Sequence, residues 1–426
     1  MTLTRRSPAC GIVADDLTGA TDSAVQFTRS GWQSRLAFAM PVADSARPGS
    51  VVAVLSDARA LGSVAAKAAT EQAVVKLRDS GAEKLFLKID STMRGSVAHQ
   101  IDGALTSWLK VHPDAVAVVC PSYPAMGRTV VDGHLYVNGQ HVHETAIGID
   151  PVTPVLTSNL SELVPDSVAV TLPYESVSKN LEMLDEALTK GTRVVIVDAS
   201  TDDELTKLAE TINAMGDRVI PVGSAGLAVA MSRVWSLEQH GSRQSQTKSE
   251  RVVVVVSSLN EVSRLQSEHL VSRISDERIL VLSPPLEIAL SPRTIHTWVS
   301  NELRDRIDLP QIVLVSSPTS RPNLGSGEGA TAAELIAESL AIIAEAVFDK
   351  GTVDAAVLVG GEGARTVLEH LGADSLVVRY AIREGTPLGV IDGGRASGLT
   401  VVTKAGGFGE PSSLLDIVSE LLEKEG

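Results

Sequence analysis

Short runs of valine, isoleucine, leucine and alanine alternate along the chain with longer stretches in which apolar residues recur at helical spacing. A continuous apolar run of five or six residues suits a strand buried on both faces, and the longer stretches suit helices that cover it. The pattern predicts strands over 10–14, 34–39, 50–55, 84–89, 115–120, 193–198 and 218–222, and helices over 19–30, 63–79, 95–110, 176–190, 202–215 and 224–236. Between Ser236 and Arg251 it breaks into SLEQHGSRQSQTKSE, a polar segment and the best linker candidate in the chain. The alternation restarts with the valine run 252–256 and predicts strands near 251–256, 278–283, 311–316, 353–359, 375–380 and 399–404. The Gly/Ser-rich stretch 320–330 reads as a surface loop within the second half, because helical period resumes over 331–348. The expected fold class is therefore α/β, with two α/β domains built on largely parallel sheets, one in residues 1–240 and one in 250–426.

Composition narrows the function. The 426 residues are 44% hydrophobic and 21% charged, as expected of a globular protein of two or three domains. No apolar run approaches the roughly 20 residues needed to span a bilayer. The net charge of −15 repels phosphate polymers and anionic lipid, which argues against nucleic acid and membrane as partners. A small anionic ligand must then be captured by a local cluster of basic side chains or backbone N–H groups. Aromatic residues, at 3%, are too few for base-stacking platforms. Cys10 and Cys120 match no metal or disulfide spacing, and the start of the chain, MTLTRRSPACGIVADD, lacks the apolar stretch of a secretory signal, so a cytoplasmic location is expected.

In doubly wound sheets ligands collect beyond the carboxyl ends of strands, and four strand ends carry unusual residues. In GIVADDLTGATDSAVQF a strand runs into Asp15 and Asp16 before a Thr18-Gly19 turn; either carboxylate can bind hydroxyls or act as a general base, and either can cap the next helix. In KLFLKIDSTMRGSVAHQI, Lys88, Asp90, Ser91, Thr92, Arg94 and Gly95 fall at one strand-to-helix junction, a plausible clamp for a polyhydroxy acid unless the cations merely pair with nearby carboxylates. In CPSYPAMGRTVVDGHLYVNG, Arg128 can reach the same mouth, while Asp132-Gly133 and Asn138-Gly139 are hairpin turns. His141 and His143 alternate along a strand beside Glu144, a pattern better suited to a structural or surface role than to a metal. The fourth end, VDAAVLVGGEGARTVLEHLG, places Gly360, Gly361 and Gly363 before a helix, and GLTVVTKAGGFGEPSSLLDIV repeats the arrangement with Lys404, Gly406, Gly407 and Gly409. Two such turns suggest a nucleotide cradle, although each alone can serve packing. The G-x-x-x-x-G-K-[ST] and G-x-G-x-x-G fingerprints are missing.

Taken together, ADDLTGATD (14–22), KIDSTMRG (88–95), CPSYPAMGRTVVDGHLYVNG (120–139), GSAGLA (223–228), VVVVSS (253–258), VGGEGA (359–364) and TKAGGFG (403–409) resemble the four-carbon acid sugar kinase family nearly end to end. The resemblance implies a sugar-acid domain at the amino terminus, an ATP domain at the carboxyl terminus and an active-site cleft between them. It implies sugar-acid contacts from Asp16, Arg59, Lys88, Ile89, Asp90 and Ser91, with Arg94 nearby. It also implies ATP contacts from Ser257 or Ser258, from Gly360, Gly361, Glu362 and Gly363, and from Gly406. Two departures stand out: the family has Gly-Gly-Glu-Thr where this chain has Gly360-Gly361-Glu362-Gly363, and a Gly-Ser-Cys-Ser-like strand end where it has Ser257-Ser258-Leu259-Asn260. A lost hydroxyl contact and weaker or rearranged ATP binding through backbone N–H groups are expected.

The resemblance thus implies transfer of the ATP γ-phosphoryl group to a terminal hydroxyl of threonate or erythronate, giving a 4-phosphate. Asp16 is the first choice for orienting that hydroxyl and Asp90 the second, with Mg2+ carried on the phosphates and few protein ligands. KIDSTMRG lies closer to the threonate and erythronate kinases than to the 3-oxo-tetronate kinases. Competing readings are an NAD-dependent hydroxy-acid dehydrogenase, disfavoured by the missing fingerprint, and a non-catalytic sugar-acid sensor. Homo-oligomerisation stays open.

Overall fold

The structure is a computed structural model that describes residues 7–39, 45–150, 152–236, 248–318 and 328–422. The linker expected over 236–251 and the loop expected over 320–330 lie largely outside the described residues. The chain divides into two units, Met1–Ser242 and Arg243–Gly426.

The strands of the first unit are β1 (Cys10–Ala14), β2 (Gln33–Ala37), β3 (Ser50–Leu55), β4 (Lys84–Lys88), β5 (Val116–Cys120), β6 (Arg128–Val131), β7 (His134–Val137), β8 (Gln140–His141), β9 (Ser167–Val170), β10 (Val194–Val197) and β11 (Val219–Gly223). Its helices are α1 (Leu17–Arg29), α2 (Ser63–Asp79), α3 (Val97–Trp108), α4 (Leu160–Leu163), α5 (Val177–Thr189), α6 (Asp202–Met215) and α7 (Ala225–Trp235). The main sheet runs β2-β3-β1-β4-β11-β5-β10-β9 with parallel neighbours throughout. Every residue of β1 is buried, as a central parallel strand covered on both faces requires. Val13, Val54, Leu87, Ile89, Val119 and Val222 join Ile101 and Trp108 of α3 in one core.

Because β1 lies between β3 and β4, with Ala14 paired to both Leu55 and Lys88, the residues that follow these three strands emerge side by side. That register makes the site. The expected Thr18-Gly19 turn is instead the first turn of α1: Asp16, in extended backbone, accepts from Gly19 N at 2.8 Å and starts the helix at Leu17. The hairpin β6-β7-β8 forms a separate antiparallel sheet whose Asp132-Gly133 and Asn138-Gly139 turns have positive φ at all four residues, as two-residue hairpin loops demand. His141 and His143 do not alternate along one strand. β8 ends at His141, and His143 lies in the 3-10 turn Val142–Glu144.

The second unit has strands β12 (Val252–Val256), β13 (Ile279–Leu282), β14 (Ile312–Ser316), β15 (Ala355–Val359), β16 (Ser375–Arg383), β17 (Thr386–Asp392) and β18 (Thr400–Lys404). Its helices are α8 (Glu261–Arg273), α9 (Leu286–Ala289), α10 (Pro292–Leu303), α11 (Glu328–Lys350), α12 (Gly361–His370) and α13 (Ser413–Leu422). The strand order is β13-β14-β12-β15-β18-β17-β16; the first five are parallel, and β17 pairs antiparallel with both β18 and β16. Val256 pairs with Val359 and Val359 with Lys404, so Ser257, Gly360 and Ala405 leave adjacent strand ends together. No helix among the described residues is long and apolar enough to cross a membrane.

Candidate functional site

The three strand ends of the first unit converge on one guanidinium. Arg59, four residues beyond β3, donates from Nε and Nη2 to the two oxygens of Asp15 at 2.8 and 3.0 Å and from Nη1 to Asp16 Oδ2 at 2.8 Å. Its Nη2 also lies 3.5 Å from Asp90 Oδ2. Asp16 therefore divides its oxygens, Oδ1 capping α1 and Oδ2 facing Arg59. Capping and ligand chemistry are not alternatives for this residue, because each uses a different oxygen.

Asp90, two residues beyond β4, is the most heavily bonded carboxylate of the group. It accepts from Thr92 N at 2.9 Å, from the Thr92 hydroxyl, and from Arg94 Nε and Nη2 at 3.2 and 2.8 Å. Burial opposes its ionisation, but the charges of Arg94 and Arg59 prevail and hold it well below the usual carboxylate range. Burial disfavours the Arg59 cation too, and is likewise overcome, here by Asp15, Asp16 and Asp90. Asp15, fully buried, is pushed upward by burial against the pull of Arg59 and Lys88. Met93 and Gly95 take positive φ, and a Cβ at Gly95 would stand 2.5 Å from the Arg59 carbonyl. Glycine at 95 thus lets the KIDSTMRG turn pack directly on the backbone that carries Arg59.

The remaining expected residues are spread around this network. Lys88 is buried, 5% exposed, and donates to Ile89 O at 2.8 Å. The Ile89 side chain belongs to the core, so only its backbone can take part in a site. Ser91 is half-buried in the turn. Arg128 donates to the Met126 carbonyl, and burial makes its cation less favourable, with Asp90 acting the other way. One member is absent from the sequence expectation: Asp150 Oδ2 lies 3.5 Å from Arg94 Nη1. Asp150 Oδ1 accepts from Val152 N and Thr153 N at 3.0 and 2.9 Å, so its Gly-Ile-Asp-Pro context signals a turn and nothing more. Four carboxylates and four cations thus gather around the carboxyl ends of β1, β3 and β4, with Arg128 contributed by the start of β6 and Asp150 by a loop, a surface able to bind hydroxyls and an acid group at once.

In the second unit, Ser257, Ser258, the 360–363 turn and Gly406 interlock. A Cβ at Gly363 would lie 2.2 Å from Ser257 Cβ and Oγ, and one at Gly406 would lie 2.0 Å from Ser258 Oγ. The Ser257 hydroxyl, which donates to Val359 O at 3.1 Å, occupies the space that a side chain at 363 would fill. Gly360, at φ +104, opens α12 without any capping side chain, which leaves the first-turn amides of Gly361, Glu362 and Gly363 for an anion at the positive end of the helix. The Glu362 carboxyl is pushed upward by burial and then by Glu334. These residues fit a phosphate-bearing ligand. Among the described residues no group of three or more His, Cys, Asp or Glu side chains could hold a metal ion.

Comparison with known proteins divides the chain at the same place. Residues 10–231 match the family described as "Sugar-binding N-terminal domain" and residues 253–414 the one described as "Nucleotide-binding C-terminal domain". A D-threonate kinase of Bordetella bronchiseptica is 34% identical over 423 residues, which cover 98% of each chain. A 3-oxo-tetronate kinase of Pseudomonas savastanoi pv. phaseolicola is 26% identical over 426 residues, covering 96% of each chain. A crystal structure from Bordetella bronchiseptica, a domain-swapped dimer with bound citrate, shares 33% identity and a TM-score of 0.50, covering 98% of this chain and 100% of that one.

Proposed function

Because this chain belongs to the four-carbon acid sugar kinase family, we propose that it transfers the γ-phosphoryl group of ATP to the terminal hydroxyl of a sugar acid of the threonate or erythronate type, giving the 4-phosphate. The observation that carries this reading is the Asp15–Arg59–Asp16–Asp90–Arg94 network at three adjacent strand ends. Lys88, Arg94 and Arg128 supply donors for the acid group, and because the cations of the cluster balance its carboxylates the site does not itself carry the repulsive charge of a chain at −15. Asp16 and Asp90 supply acceptors for the hydroxyls.

The two carboxylates suit different tasks. Asp90, held far below the carboxylate range by two arginines, is a poor proton acceptor and serves to orient. Asp16 carries only one arginine contact and one cap contact, so we assign it to the hydroxyl that attacks, whose proton it takes as the oxygen–phosphorus bond forms. In the second unit, the amides of Gly361 to Gly363, with Ser257, Ser258 and Gly406, hold the nucleotide. Bound ATP·Mg2+ would supply an activated phosphoryl group with its charge partly neutralised, the metal needing few protein ligands. The reading requires donor and acceptor, held by different units, to meet during turnover.

The naming of several relatives as 3-oxo-tetronate kinases supports a second substrate reading at the same site. Citrate on the Bordetella relative supports an acid-binding surface, and its domain-swapped dimer supports self-association, which light scattering would read. Two buried free cysteines suit a reducing cytoplasm. A coupled assay of ADP release against D- and L-threonate, D- and L-erythronate and 3-oxo-tetronate tests the function. Turnover with one of the threonate or erythronate isomers is expected; binding of these acids without turnover would favour a sensor.

A further inference from the structure

Lys404, the last residue of β18, is 2% exposed. Its ammonium donates to the carbonyls of Ala405 at 2.9 Å and Phe408 at 2.6 Å, so it ties together the two ends of the turn that carries Gly406 and Gly407. The same turn is gripped from α8, where Ser263 Oγ donates to Gly406 O at 2.7 Å and Gln266 Nε2 donates to Phe408 O and Glu410 O, each at 3.0 Å. Across the register, Gly360 N donates to Lys404 O at 2.9 Å, which joins this turn to the start of α12.

Such a cation normally has a carboxylate, yet among the described residues none pairs with Lys404. The ion pairs that the adjoining elements make run elsewhere. On α8, Glu261 and Glu268 pair with Arg264; on α12, Arg365 pairs with Glu369, and Glu362 is influenced by Glu334; on α13, Asp416 pairs with Arg383; and Glu410 of the turn itself makes no ion pair with Lys404. Burial pushes the ammonium down to about 8. A buried cation met only by carbonyl dipoles is costly and is relieved by an anion nearby.

We propose that Lys404 is the positioning residue of the nucleotide half-site: its ammonium fixes the 405–408 turn and supplies the charge that a bound polyphosphate neutralises. The inference deepens the nucleotide reading given above and rests on it. A polyphosphate favours the charged lysine. As pH rises through about 8 the free protein loses this proton while the complex keeps it, so binding above that pH takes up a proton and weakens.

Calorimetry of the full chain with ATP·Mg2+, in buffers of different ionisation enthalpy, tests this. Proton uptake is expected to be small near about pH 7 and to approach one per site near about pH 9, with affinity falling by up to roughly tenfold per pH unit between them. Lys404→Met should bind more weakly near neutrality and show no uptake at the higher pH; Lys404→Arg, whose cation does not titrate there, should restore binding with a flat pH profile. Unchanged wild-type affinity without proton uptake, or uptake that persists in Lys404→Met, overturns the proposal while leaving nucleotide binding intact. Should Lys404→Met fail to fold, Lys404→Arg decides by the same criterion, since uptake that persists in it overturns the proposal. Absence of ATP·Mg2+ binding by the wild-type chain at any pH overturns the nucleotide reading and this inference with it.

Discussion

Replacing Asp16 by Asn separates its two tasks, because the structure puts them on different oxygens. Asparagine keeps one oxygen for two donors, Gly19 N and Arg59 Nη1, so one contact is lost: the cap, worth about 1 kcal/mol, or the bond to Arg59, worth about 1.5 kcal/mol. Arg59 retains both bonds to Asp15, and the Asp16 side chain is 22% exposed, so the stability loss stays within about 1 to 2 kcal/mol. The fold survives. A general base, by contrast, contributes on the order of 10² to 10⁴ in rate, about 3 to 5 kcal/mol of barrier. Asp16→Asn should therefore show near-native circular dichroism, nearly unchanged ATP·Mg2+ affinity by titration, and a kcat lowered at least a hundredfold. Asp16→Ser, which keeps a good capping oxygen but no carboxylate, should lose as much turnover. A kcat within about tenfold of the wild type in both variants would refute the assignment of Asp16.

Further predictions follow the same geometry. Asp90→Asn leaves Arg94 and Arg59 without their shared carboxylate, and with those side chains about a quarter exposed the loss should be about 2 to 4 kcal/mol in urea unfolding followed by tryptophan fluorescence. Because the folded Asp90 carboxyl is depressed, its stabilisation is full above the unfolded value of about 4 and disappears as pH falls through the folded value; unfolding titrations of Asp90→Asn should lack this acid dependence. Gly363→Ala sets a Cβ against Ser257 and should cost about 1 to 3 kcal/mol and weaken nucleotide binding. Adding Ser257→Gly, which leaves the Ser257 Cα 3.7 Å from the new methyl, should recover most of both losses; additive effects would contradict the interlock.

Strands such as CGIVA and VVVVV could be read from sequence because central parallel strands, buried on both faces, must be apolar throughout. β17, TPLGVID, could not: Pro387 and Gly389 punctuate its pattern, and only pairing with β16 and β18 makes it a strand. β9, half exposed at the edge of its sheet, gives no strong alternation either. The strand-end position of Asp16, Lys88 and Asp90 follows from local pattern. That Arg59 gives three of its bonds to Asp15 and Asp16 does not, since it depends on β1 lying between β3 and β4. Gly363 reads from sequence as part of a glycine turn before a helix, but its close fit required the pairing of β12 with β15, which sets Ser257 against the helix start.

The central claim is that a four-carbon acid held by the first unit receives phosphate from a nucleotide held by the second. Phosphorus NMR of the full chain with ATP, Mg2+ and D-threonate or D-erythronate tests it most directly. One new phosphomonoester signal, split by two methylene protons and growing in step with ADP, is the predicted result. Inorganic phosphate as the sole new species, or no loss of ATP with any four-carbon acid, would contradict it.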